Sequence, residues 1–155
     1  MEAVKMFFFL VAVLLTFSKC AVSSTYFGSL ADLLNVGTDS VGPISDQCLR
    51  CICNAESNCQ ARRCKMDVGS LSCGYFQIKE PYYQDCGRPG QDWKTCAKDY
   101  SCAETCVRNY MARYGPRSGC PETCETYARI HNGGPRGCKR SNTLTYWQRV
   151  QSFGC

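Results

Sequence analysis

The sequence has a single histidine, His131, in 155 residues. A two-histidine metal centre is therefore excluded, and no HExxH pattern occurs. No glycine-rich phosphate loop with its lysine is present. Collagen-like glycine repeats are absent as well. The apolar run from Met6 to Phe17 is 12 residues long, too short to span a bilayer comfortably as a helix. The chain is also too short for a two-domain enzyme with a large nucleotide-binding sheet, and its length suits one domain plus an extension.

Cysteine is what the chain has in excess: 15 residues, an odd number. A short chain this rich in cysteine reads as a disulfide scaffold from an oxidising compartment. The odd count is resolved by the N-terminus. Lys5 precedes the apolar run, and small residues follow at Ser18, Cys20, Ala21 and Ser23. Residues 1–20 read as a signal peptide cleaved between 20 and 24, so the protein is expected to be secreted and extracellular, without stable membrane insertion afterwards. Cleavage removes Cys20. Fourteen cysteines remain: Cys48, Cys51, Cys53, Cys59, Cys64, Cys73, Cys86, Cys96, Cys102, Cys106, Cys120, Cys124, Cys138 and Cys155. That even number allows seven bridges, whose pairing spacing alone does not give. Cys48, Cys51 and Cys53 sit as close as metal ligands do, but no zinc spacing repeats, and disulfides are the stronger reading.

Loss of residues 1–20 also removes Lys5, Lys19 and Glu2, leaving 16 basic and 12 acidic side chains, a net charge of +4. That modest excess suits an anionic surface or polymer, not a specific nucleic-acid site. Residues 21–45 lack cysteine and carry glycines and Pro43, as an extension, propeptide or linker does. Within them Leu30–Leu34 suits a short helical turn. The compact domain is expected over 46–155.

Ser45-Asp46 can cap a helix through 48–57 that carries Glu56 in its last turn. Asp67-Val68-Gly69-Ser70 is a turn signal, and Cys73–Ile78 reads as the strand that leaves it. Pro81 opens a short helix, and Gly87–Gly90 is a loop. Ser101 and Glu104 form a capping-box pattern for a helix that stops at Gly115-Pro116. Pro121 suits the first turn of another helix, with Cys124, Tyr127, Ala128 and Ile130 facing inward. Asn142 caps a final helix bearing Leu144, Trp147 and Val150, and Cys155 pins the C-terminus. The fold class is α+β: mostly helical, disulfide-rich, with a short β-hairpin or small antiparallel sheet.

Two carboxylates in this frame suit sugar chemistry. Glycoside hydrolysis needs an acid that protonates the leaving oxygen and a carboxylate that attacks or stabilises the sugar centre. Glu56, beside Ile52 and a wall of half-cystines, sits where desolvation favours a proton-bearing acid, while Asp67 lies in a polar turn near Ser70 and Ser72. Spacing alone leaves open that these are two solvated carboxylates. Tyr75, Gln77 and Lys79 alternate along the expected strand and offer a stacking face and hydrogen bonds to a sugar, or half-buried packing. His131 precedes Asn132-Gly133-Gly134, a loop whose N–H groups can meet a sugar; the bland alternative for His131 is a helix C-cap. Tyr82, Tyr83 and Trp93 are core or cleft aromatics, with core favoured for Trp93.

The blocks CLRCICNAESNC (Cys48–Cys59), CKMDVGSLSCGYFQIKEPYYQDCGRPG (Cys64–Gly90) and HNGGPRGC (His131–Cys138) resemble the invertebrate-type lysozymes, the destabilase family. The resemblance covers essentially all of 46–155. It implies a secreted muramidase with a lysozyme-like fold, cutting the β-1,4 bond of bacterial peptidoglycan without metal or organic cofactor. The family's general acid falls on Glu56 and its nucleophile on Asp67, which implies retention and a carboxyl separation of about 5–5.5 Å. His131 matches a family residue near the cleft. Some members are credited with isopeptidase action through a serine and a lysine, here Ser72 and Lys79, which a strand of this length would hold apart unless the turn folds back. A non-enzymatic cationic antimicrobial protein is a further alternative. The expected partners are peptidoglycan and anionic walls, and the expected state is a monomer or weak homodimer. Asn58 stands where many relatives have glycine, so the local turn there is expected to differ.

Overall fold

A computed structural model describes residues 43–155. The expected signal peptide, its cleavage point, the turn at Leu30–Leu34 and nearly all of the 21–45 extension lie outside the described residues. Ile44 is fully buried, two positions ahead of the expected domain start.

Helix α1 (Asp46–Ser57) begins where Ser45 accepts the Cys48 amide in its side chain. It buries Leu49, Ile52 and Cys53 and ends at Asn58, whose φ of 58° is left-handed. Asparagine visits that region more readily than most residues, so the helix stops there without glycine. Three short antiparallel strands follow in the order β1 (Lys65–Asp67), β2 (Ser70–Cys73) and β3 (Ile78–Lys79). Val68 and Gly69 join β1 to β2, both at positive φ, as a two-residue hairpin turn requires.

The expected strand over 73–78 is instead a turn. Gly74 takes φ +73° and lies so close to α3 (Trp93–Lys98) that a Cβ there would fall 1.6 Å from the Ala97 carbonyl oxygen. The Tyr75 amide donates to that same carbonyl, and the Gly74 amide donates to Arg62 O. Those bonds turn the chain away from the sheet until Ile78. Tyr75, Gln77 and Lys79 therefore do not alternate on one strand face.

Pro81 lies in the first turn of α2 (Glu80–Asp85), as expected. Helix α3 was not legible from periodicity; Asp92 caps it by accepting the Thr95 amide. The cap of α4 (Tyr100–Tyr114) is Asp99, which accepts the Cys102 amide, so the Ser101–Glu104 capping box does not form. Glu104 instead accepts from Arg108, whose guanidinium also donates to Ile44 O and pairs with Asp46, tying the start of α1 to α4. Thr123 caps α5 (Cys124–Gly133), which leaves Pro121 ahead of the helix instead of in its first turn. Two 3-10 turns (Gly137–Lys139 and Ser141–Thr143) lead into α6 (Leu144–Gln151), whose start has no side-chain cap. Asn142 lies inside the second turn, and Thr143 spends its hydroxyl on Gly137 O and Arg140 O.

Phe76, Ile78, Val107, Met111, Ile130 and Val150 join the α1 residues in one core. All fourteen described cysteines pair, as Cys48–Cys124, Cys51–Cys155, Cys53–Cys59, Cys64–Cys73, Cys86–Cys106, Cys96–Cys102 and Cys120–Cys138. Two of these fasten α1 to distant chain, at α5 and at the C-terminus.

Candidate active site

The C-terminal end of α1 is bound to the β2–β3 turn. Ser57 donates from Oγ to Tyr75 O at 2.7 Å, and Arg62 donates from Nε to Ser57 O at 2.9 Å. Cys53–Cys59 and Cys64–Cys73 brace the same region. The last turn of α1, where Glu56 sits, and the sheet, where Asp67 sits, thus share one rigid mounting.

Glu56 is largely buried, its side chain 17% exposed. Tyr146 of α6 donates its hydroxyl to Glu56 Oε1 at 2.7 Å. His131 of α5 brings Nε2 to 3.5 Å from the same oxygen. His131 is itself buried, with Nε2 3.0 Å from Phe76 O and Nδ1 3.1 Å from the Tyr82 hydroxyl. A carbonyl only accepts, so Nε2 carries the hydrogen and Nδ1 accepts from Tyr82. Burial lowers the His131 pKa, against the opposing pull of Glu56 and the Phe76 carbonyl. The imidazole is therefore neutral at pH 7, and its approach to Glu56 is no ion pair. Burial likewise pushes the phenols of Tyr82 and Tyr146 well above their ordinary value, helped by the Glu56 charge. Tyr82 stacks on Tyr110 at 3.7 Å, which fixes its ring. Among the described residues, no hydrogen bond engages Glu56 Oε2.

Asp67 ends β1 and is half exposed. Its Oδ2 lies 3.1 Å from Lys79 Nζ, which also donates to the Asp67 carbonyl at 2.7 Å. Ser72 makes a long contact, 3.4 Å, from Oγ to Oδ2. Ser72 and Lys79 are direct partners across β2 and β3, so the turn does fold back and brings both to Asp67. Ser72 is buried at 2% exposure. Asp67 Oδ1, like Glu56 Oε2, has no hydrogen bond among the described residues.

The remaining sequence candidates divide. Tyr75 packs edge-on against Tyr100 at 5.3 Å. Gln77, at φ +47°, donates from Nε2 to Gly74 O at 2.8 Å, and its buried Oε1 has no partner among the described residues. Asn132 and Gly133 form the last turn of α5, and Gly134 caps it by donating its amide to Ile130 O. The glycine cradle of free N–H groups therefore does not form, because helix continuation consumes them. Nor does the His131 ring cap that helix. Trp93 is partly buried and donates from Nε1 to Ile78 O, while Tyr83 is buried and Tyr82 belongs to the site. Tyr146 was missed, since it lies 90 residues from Glu56 and no local pattern links the two.

The destabilase family model matches residues 45–153. The chain belongs to that family. It is 61% identical over 121 residues to Lysozyme 1 of Crassostrea virginica, covering 78% of this chain and 66% of that protein. It is 59% identical over 128 residues to a lysozyme of Magallana gigas, covering 83% and 93%. Among solved structures, the Meretrix lusoria lysozyme in complex with Aeromonas hydrophila PliI superposes with a TM-score of 0.71 at 59% identity, covering 73% of this chain and 93% of that one. The α+β, disulfide-rich, lysozyme-like architecture expected for the destabilase family is the one observed.

Proposed function

We propose that this destabilase-family chain is a secreted lysozyme that hydrolyses the β-1,4 bond between N-acetylmuramic acid and N-acetylglucosamine in bacterial peptidoglycan. The observation that carries the reading is the pair Glu56 and Asp67. Each is held through one carboxyl oxygen while the other has no hydrogen bond among the described residues, on elements bolted to each other. Glu56 gives its proton to the leaving glycosidic oxygen. Asp67 attacks the anomeric carbon and forms a glycosyl-enzyme with release of the glucosamine-ended product. Water, deprotonated by the Glu56 carboxylate, then displaces Asp67, and both residues regain their starting states. Two displacements retain the anomeric configuration. Lys79 stabilises the ionised nucleophile by charge, and neutral His131 and Tyr82 close the site behind the acid.

Seven bridges suit an oxidising, extracellular compartment. The basic excess favours encounter with anionic walls, less so at high salt. The experiment is digestion of purified peptidoglycan with mass analysis of the fragments. Soluble fragments ending in reducing muramic acid support the reading. Intact glycan after digestion by folded protein overturns it.

The Ser72–Lys79 pairing across β2 and β3 favours a second activity on ε-(γ-glutamyl)-lysine amides, in which Ser72 Oγ attacks the amide carbonyl carbon and passes its proton to Lys79, once Lys79 has left Asp67 and shed its own proton. Its burial and its contact with Asp67 require that pocket to open first. Release of lysine from such an amide, lost in Ser72→Ala, is the outcome that supports it.

A further inference from the structure

The assignment of Glu56 as acid leaves open how its single proton comes to sit on the oxygen that faces substrate. A carboxylic acid has two oxygens and one proton, and a glutamate on a helix has several rotamers. We infer that Tyr146 is a positioning residue for the acid step: its hydroxyl, donated to Glu56 Oε1, fixes the carboxyl and reserves Oε2 for the transferable proton.

Three observations converge on this. The contact is short, 2.7 Å, and His131 Nε2, whose hydrogen goes to Phe76 O, lies 3.5 Å from the same oxygen. Oε1 thus faces a hydroxyl donor, and a proton placed there would point at it; Oε2 faces none among the described residues. Next, burial keeps the Tyr146 hydroxyl protonated, so it donates throughout the range in which a lysozyme would work. Finally, the donor's helix, α6, is fastened to α1, the helix that carries the acceptor. Cys51 of α1 bonds Cys155, and Gln47 of α1 donates from Nε2 to Gly154 O at 2.8 Å, which holds the end of α6 against α1. A hydrogen bond whose purpose was only to dock α6 would have no need of the acid, since the disulfide and Gln47 already do that.

This inference rests on the proposed acid role of Glu56, and the test separates the two. Wild type, Tyr146→Phe and Glu56→Gln are assayed on peptidoglycan and on an aryl chitotrioside such as the 4-methylumbelliferyl compound. The aryl oxygen leaves without a proton, so the first displacement on that substrate bypasses the acid while still requiring Asp67; it is read as the pre-steady-state burst of aryl release, because the second displacement still uses the Glu56 carboxylate as base. Folding is checked by circular dichroism at the assay temperature and by mass for seven intact bridges. Tyr146→Phe is expected to lower kcat on peptidoglycan about tenfold or more with KM unchanged, and to lower the burst rate on the aryl substrate less than about twofold. Glu56→Gln is expected to show the same split, larger. A parallel loss on both substrates, or no loss on peptidoglycan, in Tyr146→Phe overturns the positioning role even where Glu56→Gln splits as expected. Absence of the split in Glu56→Gln overturns the acid assignment and this inference with it.

Discussion

Removing the Cys51–Cys155 bridge should cost far more stability than removing Cys53–Cys59, although the two pairs are matched in burial, each joining one buried and one half-buried cysteine. The losses of packing on Cys→Ala substitution therefore nearly cancel, and chain entropy decides. Cys53 and Cys59 are 6 apart, and closing so short a loop is worth about 2.2 kcal/mol. Cys51 and Cys155 are 104 apart, which for an otherwise open chain gives about 4.7 kcal/mol. The chain is not open, because Cys48–Cys124 already joins the two regions. The shortest path then runs back to Cys48, across to Cys124 and on to Cys155, about 34 residues, and the bridge is worth about 3.8 kcal/mol. The double variant Cys51→Ala/Cys155→Ala should lose about 1.5 kcal/mol more than Cys53→Ala/Cys59→Ala. Guanidinium unfolding with the other six bridges intact measures both. Equal losses, or a larger loss for the short loop, would refute the reasoning that this bridge acts by restraining the unfolded chain.

Burial holds the His131 pKa below its free value of about 6.5, so the unfolded chain takes up that proton first as pH falls. Stability from neutral His131 is whole above about pH 6.5 and drains away as pH drops toward the lowered native value; the unfolding midpoint should fall between pH 7 and 5, and fall less in His131→Gln. Gly137→Ala would put a Cβ 1.9 Å from the Arg129 carbonyl oxygen, backbone that has no room to give, so no folded protein should be recovered. At Gly134 a Cβ meets nothing, but φ +79° with ψ −170° is a region that essentially only glycine enters, so Gly134→Ala should fold with a loss of about 1–3 kcal/mol, read from thermal melts. Lys79→Met breaks a half-exposed ion pair and should change stability by less than about 1 kcal/mol while slowing peptidoglycan cleavage measurably.

What was legible in the sequence was local. Ser45 before α1, Pro81 in α2, Gly115 after α4 and the Asp67–Ser70 turn act through neighbouring backbone, and they stand where expected. Local chemistry singles out Glu56 and Asp67 as candidates, but only the resemblance pairs them, because nothing local marks the two as facing one bond. Tertiary contacts decided the rest. Gly74 bends the chain because Ala97 lies beside it, a fact absent from the string Cys73–Ile78. Asp99, not Ser101, caps α4, and Glu104 turns to Arg108, a partner tied to distant Ile44 and Asp46. The bridge pairing, the tyrosine behind Glu56 and the loss of the expected glycine loop all depend on where distant helices end, which spacing does not carry.

The proposed muramidase action depends above all on Glu56 supplying the proton for glycan cleavage. It is tested most directly by the rate at which new reducing ends appear from purified peptidoglycan, compared between wild type and Glu56→Gln protein of matched melting temperature and seven verified bridges. Glu56→Gln is expected to lose about 10²-fold or more of the rate. A Glu56→Gln protein that releases reducing ends at the wild-type rate would contradict it.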